Sequence, residues 1–69
     1  MGLTNLEISS LIETVRLGYI VEDFYWNKKV YKEDDIYIVA IPMYDKGVFY
    51  DYHIKEYTKV EDAIKEFIK

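Results

Sequence analysis

The chain has 69 residues, enough for one domain (residues 1–69), and a hydrophobic content of 51% excludes a disordered protein. Cysteine is absent, which excludes disulfides and thiolate sites, and no apolar run approaches the roughly 20 residues of a membrane span. The formal net charge of −4 disfavours a protein that binds nucleic-acid phosphates through clustered Lys and Arg side chains.

The first predicted element is a helix over residues 4–17. Thr4 stands three residues before Glu7, which is the spacing of a capping box. Apolar residues then recur at helical spacing and form one stripe: Ile8, Leu11, Ile12 and Val15. Gly18 supplies a residue that adopts the left-handed conformation in which many helices end.

Three strand-like segments, rich in aromatic and β-branched residues, follow this helix. They are YIVEDFYW (19–26), IYIVAIPMY (36–44) and VFYDYHIKEY (48–57). The charged stretch KEDD (32–35) is predicted to reverse the chain into the second strand, and DKG (45–47) into the third.

Period-two alternation predicts which side chains of a strand share a face. In the first strand, one face is expected to carry Ile20, Phe24 and Trp26, and the other Tyr19, Val21 and Tyr25. In the third strand, one face is expected to carry Val48, Tyr50, Tyr52 and Ile54, and the other Asp51, His53 and Lys55.

The last predicted element is a helix that starts at Thr58, because TKVE repeats the capping-box spacing with Glu61. Its apolar stripe comprises Val60, Ala63, Ile64, Phe67 and Ile68. The predicted fold class is α+β, in the order α-β-β-β-α: a three-stranded antiparallel sheet with both helices packed on one face.

The residues required by common catalytic sites are missing. His53 is the only histidine and there is no cysteine, so neither a His-pair metal site nor a Cys–His nucleophile can form. The acidic pair at 22–23 and the acidic triplet at 33–35 lack the ligand spacing and the glycine of a calcium loop. We therefore expect a non-enzymatic protein with no cofactor and no metal ion.

Eight tyrosines lie in or beside the predicted strands. Two interpretations remain open: cross-strand pairs that only stabilise the sheet, or exposed side chains that serve as interface residues. The stretch FYWNKKVYKEDD (24–35) leaves the same choice between a solvated charged turn and the rim of a docking surface. The candidate partner-binding residues are Glu22, Asp23, Tyr25, Tyr31, Glu33, Asp34, Asp35 and Tyr37.

The element order at this length resembles double-stranded RNA-binding domains and the toxins of the HicA family. The residues depart from both patterns. Those RNA-binding domains start their second helix with lysines, where TKVEDAIKEF has Glu61 and Asp62. HicA-like toxins carry a histidine on the middle strand, and IYIVAIPMY has none. In size, acidity and Lys/Ile/Tyr content, the chain is similar to inhibitors that phages and mobile elements encode, such as anti-CRISPR, immunity and antitoxin proteins.

We therefore expect a small acidic cytoplasmic protein that modulates or inhibits a partner protein with a basic surface, which can itself be a nucleic-acid-binding surface. The alternative is a self-associating accessory domain whose open sheet face is buried in a homodimer. A third and weaker alternative is a protein that stacks single-stranded nucleic acid on Tyr and Trp, which the acidic balance disfavours. No membrane association is expected.

Overall fold

The computed structural model describes residues 3–69, so the first two residues of the predicted domain lie outside it. Its elements in chain order are α1 (Asn5–Arg16), β1 (Val21–Asp23), β2 (Lys28–Glu33), β3 (Ile36–Asp45), β4 (Val48–Tyr57) and α2 (Val60–Phe67). The strands form one antiparallel sheet in the order β1-β2-β3-β4. The α+β class is confirmed, but the sheet has four strands and not the predicted three. No helix within residues 3–69 is long and apolar enough to cross a membrane.

The extra strand arises because only Val21–Asp23 of the predicted strand over residues 19–26 form a strand, and β2, which was not predicted, follows the turn at residues 24–27. After β1 the chain turns back, and Asp23 Oδ1 accepts hydrogen bonds from the backbone N–H groups of Tyr25 (3.0 Å) and Trp26 (3.3 Å). Asn27 ends this turn at a positive φ of 58°. An Asp side chain that bonds the following backbone and a left-handed Asn are both typical of turns, and here they outweigh the β propensity of the aromatic residues.

The two other reversals occur where the sequence predicts them. Glu33 lies opposite Ile36 across the β2–β3 turn, and Asp45 lies opposite Val48 across the β3–β4 turn. In the latter, Lys46 and Gly47 have positive φ values of 52° and 81°, as the favoured two-residue hairpin turn requires.

Both helices cover the same face of the sheet. Val30 of β2 and Val39 of β3 are Cα partners and are fully buried there. The remaining buried members of this core come from the helices: Val15 of α1 and Val60, Ala63, Ile64 and Phe67 of α2. The predicted apolar stripes are therefore confirmed, except that Ile68 is 37% exposed.

The two predicted capping boxes have different outcomes. At α1, Thr4 Oγ1 accepts from the N–H of Glu7 (3.2 Å), and Glu7 Oε1 accepts from the N–H of Thr4 (3.1 Å). Hydrogen bonds from the Thr4 backbone and then its side chain lower the pKa of Glu7, because they stabilise its carboxylate. At α2 the N-cap is Lys59, and no side chain caps the helix. Thr58 stands one residue before this N-cap, since β4 continues through Tyr57.

The alternation along β4 is interrupted by a β-bulge. The pairs that flank it are Tyr44 with Phe49 and Met43 with Asp51. Tyr50 is the extra residue, so Phe49 is the residue that shares a face with Tyr52, and their ring centroids lie 5.0 Å apart. The predicted common face of Val48, Tyr50, Tyr52 and Ile54 is therefore wrong for its first two members.

Candidate interaction surface

One face of the sheet carries no helix, and we call it the open face. By register it comprises Glu22, Lys29, Tyr31, Glu33, Ile36, Ile38, Ala40, Pro42, Tyr44, Phe49, Tyr52, Ile54 and Glu56. Ile38 and Ala40 are only 2% and 4% exposed, although no helix lies over them. Their Cα partners on the flanking strands, Tyr31 and Ile54, must therefore help to shield them. The open face thus has a dry apolar centre.

Aromatic side chains form a row at one end of the open face. The ring of Tyr44 lies edge to face against Phe49 at 6.1 Å, and Phe49 lies edge to face against Tyr52 at 5.0 Å. Here the β3–β4 hairpin extends past the last β2–β3 pair, which joins Lys29 to Ala40. Tyr44 and Phe49 remain 54% and 42% exposed, so part of each ring lies at the surface.

The turn between β1 and β2 brings further aromatic side chains to the same end of the sheet. Phe24, Tyr25 and Trp26 are 90%, 84% and 61% exposed, and the Tyr25 and Trp26 rings meet edge to face at 4.8 Å. Asn27 links this turn to the row, because its Oδ1 accepts a hydrogen bond from the hydroxyl of Tyr52 at 3.4 Å. We call these six residues the aromatic surface: Phe24, Tyr25, Trp26, Tyr44, Phe49 and Tyr52.

Acidic side chains predominate around the open face. By register it carries three acidic residues and one basic residue: Glu22, Glu33, Glu56 and Lys29. The exposed turn residues Asp34 and Asp35 extend the negative charge beyond the end of β2. The ammonium of Lys29 lies 5.0 Å from the centroid of the Tyr52 ring, which is a cation–π contact. The face therefore combines an aromatic end with an acidic border.

The predicted binding residues are spread over both faces and both ends of the sheet. Glu22, Tyr31 and Glu33 lie on the open face. Asp34 and Asp35 lie in the β2–β3 turn, at the end of β2 opposite to Tyr25 and Asp23. Tyr37 packs against the core beneath the helices, so we do not include it in the surface. Asp23 caps the aromatic turn with its carboxylate.

Of the aromatic surface, the partner-binding set chosen from the sequence included only Tyr25. It lacked Phe24, Trp26, Tyr44, Phe49 and Tyr52, as well as Ile54 of the open face. The sequence did contain a signal for Phe49, because a two-residue turn at residues 46–47 determines which residues of the two flanking strands lie opposite each other. Counting back from that turn places Tyr44 directly opposite Phe49. For Ile54 the sequence does give the correct face, which it shares with Tyr52.

A cavity of about 460 Å³ lies beside β1, between the aromatic turn and the helix ends. Its lining includes Leu3, Leu11, Asp23, Trp26, Lys28 and Phe67. Lys28 Nζ donates to the carbonyl oxygens of Lys69 (2.9 Å) and Phe67 (3.4 Å), and Asp23 caps the turn. Lys28 thus links the start of β2 to the end of α2, and Asp23 stabilises the turn that follows β1. Residues 3–69 contain no group of three side chains suited to hold a metal ion.

A polar cluster on the helix-covered side is centred on Glu66. Its carboxylate accepts from the hydroxyl of Tyr57 (3.2 Å) and lies near the ammonium groups of Lys55 (3.4 Å) and Lys69 (3.7 Å). Burial alone raises the pKa of Glu66, but Lys55, Lys69 and the hydrogen bonds outweigh it and lower that pKa overall. Burial, followed by the charge of Glu66, raises the pKa of Tyr57. The cluster thus ties α2 to β4.

Comparisons with known proteins found no relative of this chain. No family model matches it, and neither a curated protein nor a solved structure is significantly similar to it. The role of the aromatic surface has therefore to be inferred from its own side chains.

Proposed function

We propose that this protein is a non-catalytic binding protein that docks its open face against a partner protein with a basic surface. The observation that carries the proposal is the aromatic surface, in which the row of Tyr44, Phe49 and Tyr52 adjoins the exposed aromatic turn. Single exposed apolar side chains are normal on proteins, whereas a group of them at one end of a sheet favours an interaction site.

The aromatic surface has the chemistry of an interface centre. Tyr and Trp side chains give large contact areas at a low cost in conformational entropy, and each carries a polar atom for hydrogen bonding. Tyr25 and Trp26 are already held against each other, and Asp23 fixes the backbone that carries them. This pre-organisation reduces the ordering cost that binding would otherwise carry.

The acidic border indicates the charge of the partner. Glu22, Glu33 and Glu56 surround the apolar centre of the open face and would repel an acidic surface. Opposite charge steers two proteins into encounter and suppresses wrong partners. A protein that binds nucleic acid offers such a basic surface, so docking would compete with the nucleic acid. We therefore propose modulation or inhibition in the cytoplasm as the role, as in phage and mobile-element inhibitors.

Site-specific photo-crosslinking tests this proposal. Benzoylphenylalanine is placed at Phe49 or Phe24 of the intact protein, and at Leu6 of α1 as a control that is 78% exposed but lies on a helix. After irradiation in an extract of the source cells, we expect the two aromatic-surface positions to crosslink to one protein, identified by mass spectrometry. That protein should have a basic surface, and its capture should fall with added salt.

Three results would contradict the proposal. Equal crosslinking from Leu6 would show that capture is non-specific. Crosslinks formed only between copies of the chain would favour the self-associating alternative. Crosslinks that disappear after nuclease treatment, with nucleic acid recovered in their place, would favour the stacking alternative.

A further inference from the structure

The outer edge of β4 is an unpaired strand within residues 3–69. Asp45 and Val48 close a two-residue turn, and such a closing pair exchanges both of its hydrogen bonds. Every second residue of β3, counted back from Asp45, therefore hydrogen-bonds to β4. The β4 partners of these residues are Asp51, His53 and Lys55. The N–H and C=O groups of Tyr52, Ile54 and Glu56 therefore point outward, away from the sheet.

Two observations agree with this assignment. The N–H of Tyr52 donates to Asp51 Oδ1 at 2.7 Å, as a group directed away from β3 can. Pro42, the Cα partner of Tyr52, has no N–H, and the assignment requires none from it toward β4. An exposed row of backbone donors and acceptors is a template for another strand.

The side chains along this edge are self-complementary in one register. Directly opposite residues of an antiparallel pair project to the same face of the sheet. When a strand pairs with its own copy, the two-fold axis that relates the copies therefore passes through the position of one residue, which lies opposite itself. With His53 at that centre, Asp51 lies opposite Lys55 of the second copy, and Lys55 opposite its Asp51. On the open face, Tyr52 lies opposite Ile54 of the second copy in both halves of the pair.

Neighbouring registers lose this match. Centring on Asp51 or Lys55 places like charges directly opposite each other, which destabilises a strand pair. Centring on Ile54 places Lys55 beside His53 and pairs Asp51 with Tyr57. Centring on Tyr52 leaves Lys55 opposite Phe49. Of these registers, the one centred on His53 alone forms both opposite-charge pairs.

We propose that β4 pairs with β4 of a second copy of this chain, antiparallel about a two-fold axis at His53. The N–H of Tyr52 then donates to the carbonyl of Ile54 in the second copy, which releases the Asp51 carboxylate for Lys55 of that copy. Lys55 Nζ lies 3.4 Å from Glu66 of its own chain, and an ammonium has three donors, so it serves both carboxylates. The two open faces join into one surface that bears an aromatic surface on each side of the axis.

Cysteine scanning tests the register, because the natural chain has no cysteine. In the proposed pair, the two copies of residue 53 face each other without backbone hydrogen bonds, at a separation that suits a disulfide. H53C should therefore form a covalent dimer rapidly under mild oxidation. I54C is the matched control, because its own copy would lie opposite only in a shifted register. Crosslinking of I54C at an equal rate would overturn the register.

Charge reversal tests the interface without a crosslink. In a dimer of D51K, or of K55E, like charges lie opposite each other at both of the 51–55 pairs. Each variant alone should therefore raise the dimer dissociation constant by about tenfold or more, as measured by sedimentation equilibrium. Mixing the two variants restores opposite charges in both positions and should give a heterodimer close to wild-type affinity. E22K on the β1 edge is the control that should change nothing.

Circular dichroism of each variant separates loss of pairing from loss of folding, since K55E also acts on Glu66. If K55E does not fold, I54P replaces it, because the missing N–H is one that points outward, and the ladder to β3 keeps its bonds. A folded I54P variant that dimerises as tightly as wild type would contradict the proposal. So would a wild-type chain that stays monomeric at about 1 mM, or a D51K and K55E mixture that pairs no better than either variant alone.

Discussion

Both faces of the sheet carry large apolar side chains, yet the helices cover only one face. Beneath the helices, Val30 and Val39 are fully buried with Ile64, which is 1% exposed. On the open face, Tyr44 and Phe49 are larger but remain 54% and 42% exposed. The contrast shows that side-chain hydrophobicity does not by itself identify the residues that stabilise this fold. Burial identifies them: the helices bury the covered face, whereas on the open face only the centre at Ile38 and Ala40 is buried.

The largest expected effect on stability comes from truncating the helix-covered face. Ile64→Ala removes a fully buried side chain and leaves a cavity, so we expect a loss of about 2–5 kcal/mol in the free energy of unfolding. Phe49→Ala, the matched variant on the open face, removes two edge-to-face ring contacts and should cost less, about 1–3 kcal/mol. Urea denaturation measures both. Equal costs would mean that the open face is part of the core.

A smaller loss of stability is expected from substitutions at the N-termini of the two helices that cover the sheet. Thr4→Ala removes the capping box of α1 and should cost about 1 kcal/mol. Thr58→Ala is the matched change at α2, and we expect no loss beyond a few tenths of a kcal/mol, because Thr58 caps nothing there. Thermal unfolding of the two variants side by side measures the difference, and a larger loss from Thr58→Ala would contradict it.

Acid should lower the free energy of unfolding through the protonation of Glu66, which lies on the helix-covered side. Its pKa is lower in the folded chain than its ordinary value, so its contribution to stability is complete above that ordinary value, about 4.3. The contribution is lost as the pH falls through the lowered pKa. Glu66→Gln should therefore reduce stability at neutral pH and flatten its decline in acid. The pKa of Glu7 is also lowered in the folded chain, so some loss of stability in acid should remain in the Glu66→Gln variant. Unfolding free energies between about pH 2 and pH 7 measure the slope, and an unchanged slope in Glu66→Gln would exclude this role.

The smallest effect on stability is expected at the acidic end of the open face. Reversing Glu33, Asp34 and Asp35 to Lys should leave the melting temperature nearly unchanged, because exposed charges contribute little. It should instead slow association with the basic partner identified by crosslinking, by about tenfold at low salt. Stopped-flow or surface-plasmon measurements give the rate. An unchanged association rate would show that these acids only solvate a turn.

Much of the fold could be predicted because its signals are local. The first capping box, both apolar helix stripes and the turn at Lys46–Gly47 each depend on residues within about two helical turns or a single hairpin. The turn at residues 24–27 was missed because its aromatic residues favour strands. Its local turn signals were Asp23, whose Oδ1 accepts hydrogen bonds from the N–H groups of Tyr25 and Trp26, and the left-handed Asn27. The second capping box failed because β4 extends to Tyr57.

The candidate surface was harder to predict than the fold. Which face of a strand is covered depends on where two distant helices pack, and no local pattern contains that information. Tyr37 and Tyr31 illustrate this, since both are strand tyrosines, yet the first packs against the core and the second lies on the open face. The β-bulge at Tyr50 further exchanged the faces of its neighbours.

The sequential order of the strands has a consequence for the rate of folding. Each strand pairs with the next one along the chain through a turn of a few residues, so the loops that must close are short. Such local connectivity favours folding on a time scale on the order of milliseconds. Packing of α1 against α2, in contrast, joins the two ends of the chain and requires a long closure. Changes in the β3–β4 turn should therefore slow folding, whereas changes at the α1–α2 contact should mainly accelerate unfolding.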